Sequence, residues 1–216
     1  GTYYARNIHR CRWPVSPDQR GAFAPGRRIG SGRDGCSDCG VTRLIRGKNR
    51  VNTEMTMDIP TRVQILRDTV RQALVFMMDK QPLDSNRVQL SNNHIMKQAD
   101  ALFTIQGNSP EEEAELCSVL LMSYQVLNEH TPDKDQKVQA VLNRSAAILD
   151  QLAPSLLKCE LLTYCYGEIY DSQLAAEAHT IIDSWQNSPL SAAEKEIIET
   201  LELFEQHPYN HWQEAI

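Results

Sequence analysis

From Thr61 to the end of the chain, apolar residues return every three or four positions, and that rhythm dictates helices. It is cleanest after Ser109, a capping residue followed by Pro110 at the first helical position. Glu111, Glu112 and Glu113 then complement the positive end of the helix dipole. Leu116, Cys117, Val119, Leu120, Leu121, Tyr124 and Leu127 cover more than one face, so this helix is expected at the centre of the fold.

The flanking segments follow the same logic. Val63, Leu66, Val70, Ala73, Leu74 and Met77 make a stripe that begins after Asp58-Ile-Pro-Thr and ends near Asp79. After Gln81-Pro82, a second helix carries Val88, Ile95, Ala99, Leu102 and Phe103, with Gly107 read as its C-terminal stop. Thr131-Pro132-Asp133 opens a helix with Val138, Val141, Leu142, Ser145, Ile148, Leu149 and Leu152 as its stripe, closed by Pro154. Ser155 caps a run holding Leu156, Leu157, Cys159, Leu161, Leu162, Cys165 and Tyr166. Gly167 and Asp171-Ser172 read as a turn into a further helix bearing Leu174, Ala175, Ala178, Ile181, Ile182 and Trp185. Ser191-Ala-Ala-Glu194 is a capping box ahead of Ile197, Ile198, Leu201 and Phe204. The expected fold is all-α, a compact antiparallel bundle or array of about six to seven helices over residues 55–216.

Residues 1–54 are of another kind. They hold eleven Lys and Arg against four acids, a net of +7, whereas the rest has 11 bases and 24 acids, a net of −13. Eight of the ten glycines precede position 48, and neither helical nor strand periodicity is present. This stretch has too little apolar surface to offset its ordering entropy and reads as poorly structured, or as sequence upstream of the natural start. Gly30-Ser-Gly32-Arg-Asp-Gly35 has the letters of a dinucleotide fingerprint but no strand before it or helix after it. Cys36-Ser-Asp-Cys39 has metal-ligand spacing, with His9 and Cys11 as conceivable partners, yet no matching second pair. The basic run at 43–50 lacks interleaved aromatics and reads as a solvated tail.

Catalytic constellations are missing from the helical part. No His-Glu-x-x-His stands in it, and Cys117, Cys159 and Cys165 fall on or near apolar faces as reduced core cysteines. His179 and Glu177 are two positions apart and point to different helix faces, so His179 reads as structural. Tyr164, Tyr166 and Tyr170 read as packing. No cofactor or metal is expected, and no run approaches the roughly 20 apolar residues of a membrane span. With no signal segment at its start, the protein is expected in the cytosol. A part at −13 repels nucleic acid and favours a basic protein surface. The candidate contact residues are Glu111, Glu112 and Glu115, then Glu196, Glu199 and Glu202, and the tail aromatics Tyr209 and Trp212.

Four stretches carry a resemblance. Ser155-Leu-Leu-Lys-Cys-Glu-Leu-Leu-Thr-Tyr-Cys-Tyr-Gly-Glu-Ile-Tyr and Glu177-Ala-His-Thr-Ile-Ile-Asp-Ser-Trp resemble the UpxZ family. So do Glu111-Glu-Glu-Ala-Glu-Leu-Cys and His207-Pro-Tyr-Asn-His-Trp-Gln-Glu, and the likeness covers roughly residues 61–216. That resemblance implies a regulator that acts in trans on NusG-like transcription antiterminators from other capsular-polysaccharide loci. RNA polymerase would be affected indirectly, and no enzymatic residues are implied. The alternative is a helical-repeat adaptor, with 155–170 and 171–185 as one stacked pair, although the pairs opening at Ser109 and Ser155 share no aligned motif.

Overall fold

The computed structural model describes residues 57–78, 84–127 and 132–207. Among the described residues the chain forms seven α-helices and no strand. They are α1 (Ile59–Met78), α2 (Ser85–Phe103), α3 (Pro110–Val126), α4 (Pro132–Ile148), α5 (Leu156–Ile169), α6 (Ser172–Asp183) and α7 (Ala192–Gln206), with a 3-10 turn at Leu149–Gln151 after α4. The all-α expectation holds, and the helix count is at the upper end of it.

Two helices make the centre. Leu116, Val119, Leu120 and Leu121 of α3 are fully buried, and α3 packs against α1, α2, α4 and α5. Leu161, Leu162 and Cys165 give α5 a similar interior, and it packs against α3, α6 and α7. Each such leucine contributes about 1.5–3 kcal/mol by leaving water. Two buried hydroxyls on these inner helices are satisfied locally, Ser123 donating to the Val119 carbonyl at 2.6 Å and Thr163 to the Cys159 carbonyl at 2.8 Å, whereas the buried Ser118 and Tyr124 hydroxyls make no such bond.

The helix starts follow their capping residues. Asp84 accepts from the Asn86 N–H, Ser109 from Glu112, Ser155 from Lys158 and Asp171 from Gln173. Both hydrogen bonds of the Ser191–Glu194 capping box are made, at 3.2 and 2.7 Å. Each cap satisfies N–H groups that have no partner inside the helix, which is typically worth about 1 kcal/mol. Only Tyr170 and Asp171 separate α5 from α6, so these neighbours fold back on each other.

Three sequence expectations need correction. Gly107 does not cap α2, which ends at Phe103 with Thr104 in a right-handed conformation. Gly107 instead lies against the start of α3, where a Cβ would stand 2.3 Å from the Glu113 amide nitrogen. Gly167 marks no turn: α5 runs through it to Ile169, and the left-handed cap residue is Tyr170 (φ 50°). A Cβ at Gly167 would meet the Phe204 ring of α7 at 2.7–2.9 Å, so the glycine is there for a close helix approach. Leu74, counted in the α1 stripe, is 37% exposed, at the edge of the buried face that Val70 and Ala73 mark.

Candidate protein-binding surface

The acidic start of α3 divides by depth. Glu111 is exposed, Glu112 and Glu115 are half-buried, and Glu113 is buried. Glu112 accepts from the Asn108 backbone N–H (2.6 Å) and side-chain amide (2.8 Å), which holds the preceding loop against the helix. Glu113 accepts from the Gly107 N–H at 2.6 Å and from Arg144 of α4 at 2.5 and 3.0 Å. Arg144 also donates to the Phe103 and Ile105 carbonyls, closing the exposed end of α2. Burial pushes the Glu113 carboxyl up, but hydrogen bonds from Arg144 and Gly107 outweigh it and leave the group below its ordinary value. A shallow depression of 340 Å³ beside this pair is lined by Gln106, Asn108, Ser109 and Ile148, with Glu113 and Arg144 already committed to each other. Sequence reasoning put Glu113 with its neighbours as one acidic run; its position one turn before Cys117 on the buried face was the available signal.

On α7 the glutamates again differ. Glu194 belongs to the capping box, and Glu196 accepts two bonds from Arg71 of α1, at 3.2 and 2.9 Å. Glu199 and Glu202 are exposed and make no ion pair among the described residues. Glu205 meets His179 of α6 at 2.7 Å, so the histidine's partner lies across the helix interface, not on its own helix at Glu177. Leu203, 54% exposed, stands beside Glu202 on this outer surface. The expected contact residues therefore separate: Glu111, Glu115, Glu199 and Glu202 face solvent to differing degrees, while Glu112 and Glu196 are tied internally. Tyr209 and Trp212 lie outside the described residues, as do the glycine motif at 30–35 and Cys36 and Cys39.

The remaining reactive groups are interior. Cys117, Cys159 and Cys165 are buried free thiols, and burial pushes Cys117 and Cys159 up to about 12 and Cys165 higher still. Thiols in that range are not nucleophiles near neutral pH. Tyr164 is buried edge-on to Phe204, with ring centroids 6.5 Å apart, and Tyr166 stands edge-on to Tyr170 at 5.3 Å, so all three tyrosines pack. Among the described residues no cluster of His, Cys, Asp or Glu is arranged to hold a metal ion, and no helix is long and apolar enough to cross a membrane.

Against known proteins, residues 63–167 match the model of the UpxZ family of transcription anti-terminator antagonists. The solved structure of a transcription anti-terminator antagonist UpxZ from Bacteroides uniformis is similar to this chain, with a TM-score of 0.64 and 36% identity. The alignment covers 74% of this chain and 99% of that one. No curated protein matches the chain significantly. Identity at that level over nearly the whole of a solved UpxZ, together with the matched helices α1 to α5, decides the family: this chain belongs to the UpxZ family of transcription anti-terminator antagonists.

Proposed function

We propose that the chain binds NusG-like antiterminators encoded by other capsular-polysaccharide loci and blocks them in trans, in the cytoplasm and without catalysis. The observation that carries this reading is the likeness to a solved anti-terminator antagonist over 99% of that chain. The charge distribution supports it physically. A region with 24 acids against 11 bases cannot neutralise phosphates, but it steers toward a basic protein surface. Glu111, Glu115, Glu199 and Glu202 are the exposed or partly exposed carboxylates available for such a contact, with Tyr209 and Trp212 added from the tail. Residues 55–216 are the acting unit in this reading, and 1–54 add no contact.

Titration of the chain against a purified NusG-like antiterminator, followed by calorimetry at low and high salt, tests the proposal. Saturable binding that weakens with salt is expected, because exposed charges are screened within a Debye length of about 10 Å at 0.1 M. Charge reversal at Glu199 and Glu202 is expected to weaken binding without changing the melting temperature. Absence of binding to a panel of folded antiterminators refutes the reading.

A further inference from the structure

Two residues at the end of α5 run against local preference, and both face the last turn of α7. Glycine stands at 167, inside the helix, where alanine is favoured, because the Phe204 ring leaves no room for a Cβ. Tyrosine stands at the C-cap, 170, in a left-handed conformation (φ 50°, ψ 34°) that glycine or asparagine adopts more readily. Among the described residues it is the only non-glycine residue with a positive φ. A bulky side chain there is strained, so its surroundings must hold it in place.

What the tyrosine side chain gains lies largely on α7. Closing α5 needs only its backbone, whose N–H donates to the Tyr166 carbonyl at 2.8 Å. The ring then stands edge-on to Tyr166, 5.3 Å between centroids, and the hydroxyl donates to the His207 carbonyl at 3.3 Å. His207 is the C-cap of α7, and the carbonyls at a helix end have no partner inside the helix. Glycine or asparagine at 170 would end α5 as well but could not reach across 37 positions to α7. With Phe204 against Gly167 and Glu205 on His179, the last turn of α7 is held at three points.

From this turn the chain continues as Pro208-Tyr209-Asn210-His211-Trp212. Pro208 bars His207 from the right-handed helical region, in keeping with its φ of −125° and ψ of 67°. At no more than about 3.6 Å per residue, Tyr209 stays within roughly 7 Å of the held carbonyl and Trp212 within roughly 18 Å. A fixed exit point narrows the space these two aromatics can search, and so the freedom they lose on meeting a partner. We propose that Tyr170 is a positioning residue for the antiterminator contact. By holding the His207 carbonyl it sets where the tail leaves α7, and hence where Tyr209 and Trp212 meet the partner. The inference rests on the function proposed above, in which those two aromatics take part.

The test compares the 216-residue chain as wild type, Tyr170→Gly, Tyr209→Ala/Trp212→Ala and all three substitutions together. Each is titrated against one NusG-like antiterminator, with thermal melting as the check on the fold. Tyr170→Gly is expected to bind about tenfold more weakly. The tail pair is expected to bind more weakly too, and adding Tyr170→Gly to it to change nothing further. A role confined to the fold would weaken binding by the same factor in both backgrounds, and that result overturns the inference. Wild-type affinity in Tyr170→Gly or in the tail pair also overturns it, with the functional reading left intact. Should Tyr170→Gly lower the melting temperature, Tyr170→Phe, which loses only the hydroxyl, takes its place in the cycle and the same outcomes decide. Failure of the wild type itself to bind defeats the functional reading and the inference together.

Discussion

Adding one methyl group at Gly167 sets two opposed effects against each other. Alanine in place of glycine inside α5 favours the helix by about 1 kcal/mol, because the unfolded chain has less freedom to lose. The new Cβ, however, meets three Phe204 ring carbons at 2.7, 2.9 and 2.9 Å, well inside the 3.5–4.0 Å of ordinary carbon contact. The half-buried ring stands edge-on to the buried Tyr164, 6.5 Å between centroids, which blocks its retreat on that side. Overpacking of this kind costs about 1–3 kcal/mol. The clash wins on balance, so Gly167→Ala is expected to destabilise the fold by up to about 2 kcal/mol. Phe204→Ala removes the obstacle, and in that background Gly167→Ala is expected to stabilise by up to about 1 kcal/mol. Urea unfolding of the four proteins, followed by circular dichroism, gives the double-mutant cycle directly. Equal stabilisation by Gly167→Ala in both backgrounds refutes the close approach of α5 and α7 as the reason for glycine here.

Other perturbations have equally definite signs. Arg144→Ala strands the buried Glu113 carboxylate and is expected to cost about 3–5 kcal/mol, whereas Arg144→Met with Glu113→Leu recovers part of that loss in the same unfolding assay. Burial raises Glu168 from 4.5 to about 7, against smaller opposing effects of Gln125 and Lys134. Its folded value lies above its unfolded one, so ionisation destabilises the fold as pH rises between those values, and Glu168→Gln is expected to raise stability more at pH 8 than at pH 4. Alkylation mapped by mass spectrometry should leave Cys117, Cys159 and Cys165 unmodified in the native protein and label all three in denaturant.

What the sequence makes legible is what local chemistry decides. Ser109, Ser155, Asp171 and Ser191 start helices because their side chains reach N–H groups two or three residues on, and a linear reading captures that. The apolar girth of α3 likewise announces its central place. Gly107 and Gly167 defeat a linear reading because what they accommodate is tertiary: the Glu113 backbone in one case and a ring 37 positions away in the other. The same holds for the acidic candidates. Glu112 looks like Glu111 in a list of letters, but it binds the Asn108 loop, and Glu196 is claimed by Arg71 across 125 positions. The buried Arg67–Glu160 pair between α1 and α5 spans 93 positions and left no trace in helical periodicity.

The central placement of α3 also orders the motions of the chain. Its middle turns are enclosed by α1, α2, α4 and α5, so no single neighbouring helix can lift away and expose them to water. Amide protons at Leu120 and Leu121 should therefore exchange with solvent only through complete unfolding, and their protection reads out the global stability. By contrast, α7 is held by α5, by a smaller contact with α6 and by the Arg71–Glu196 bridge. Detaching it uncovers Ile197, Leu201 and Phe204 and the Tyr164 face of α5, less than releasing α3 would, so its amides should exchange through a cheaper, partial opening. The helix that carries Glu199 and Glu202 is thus expected to be the first to open.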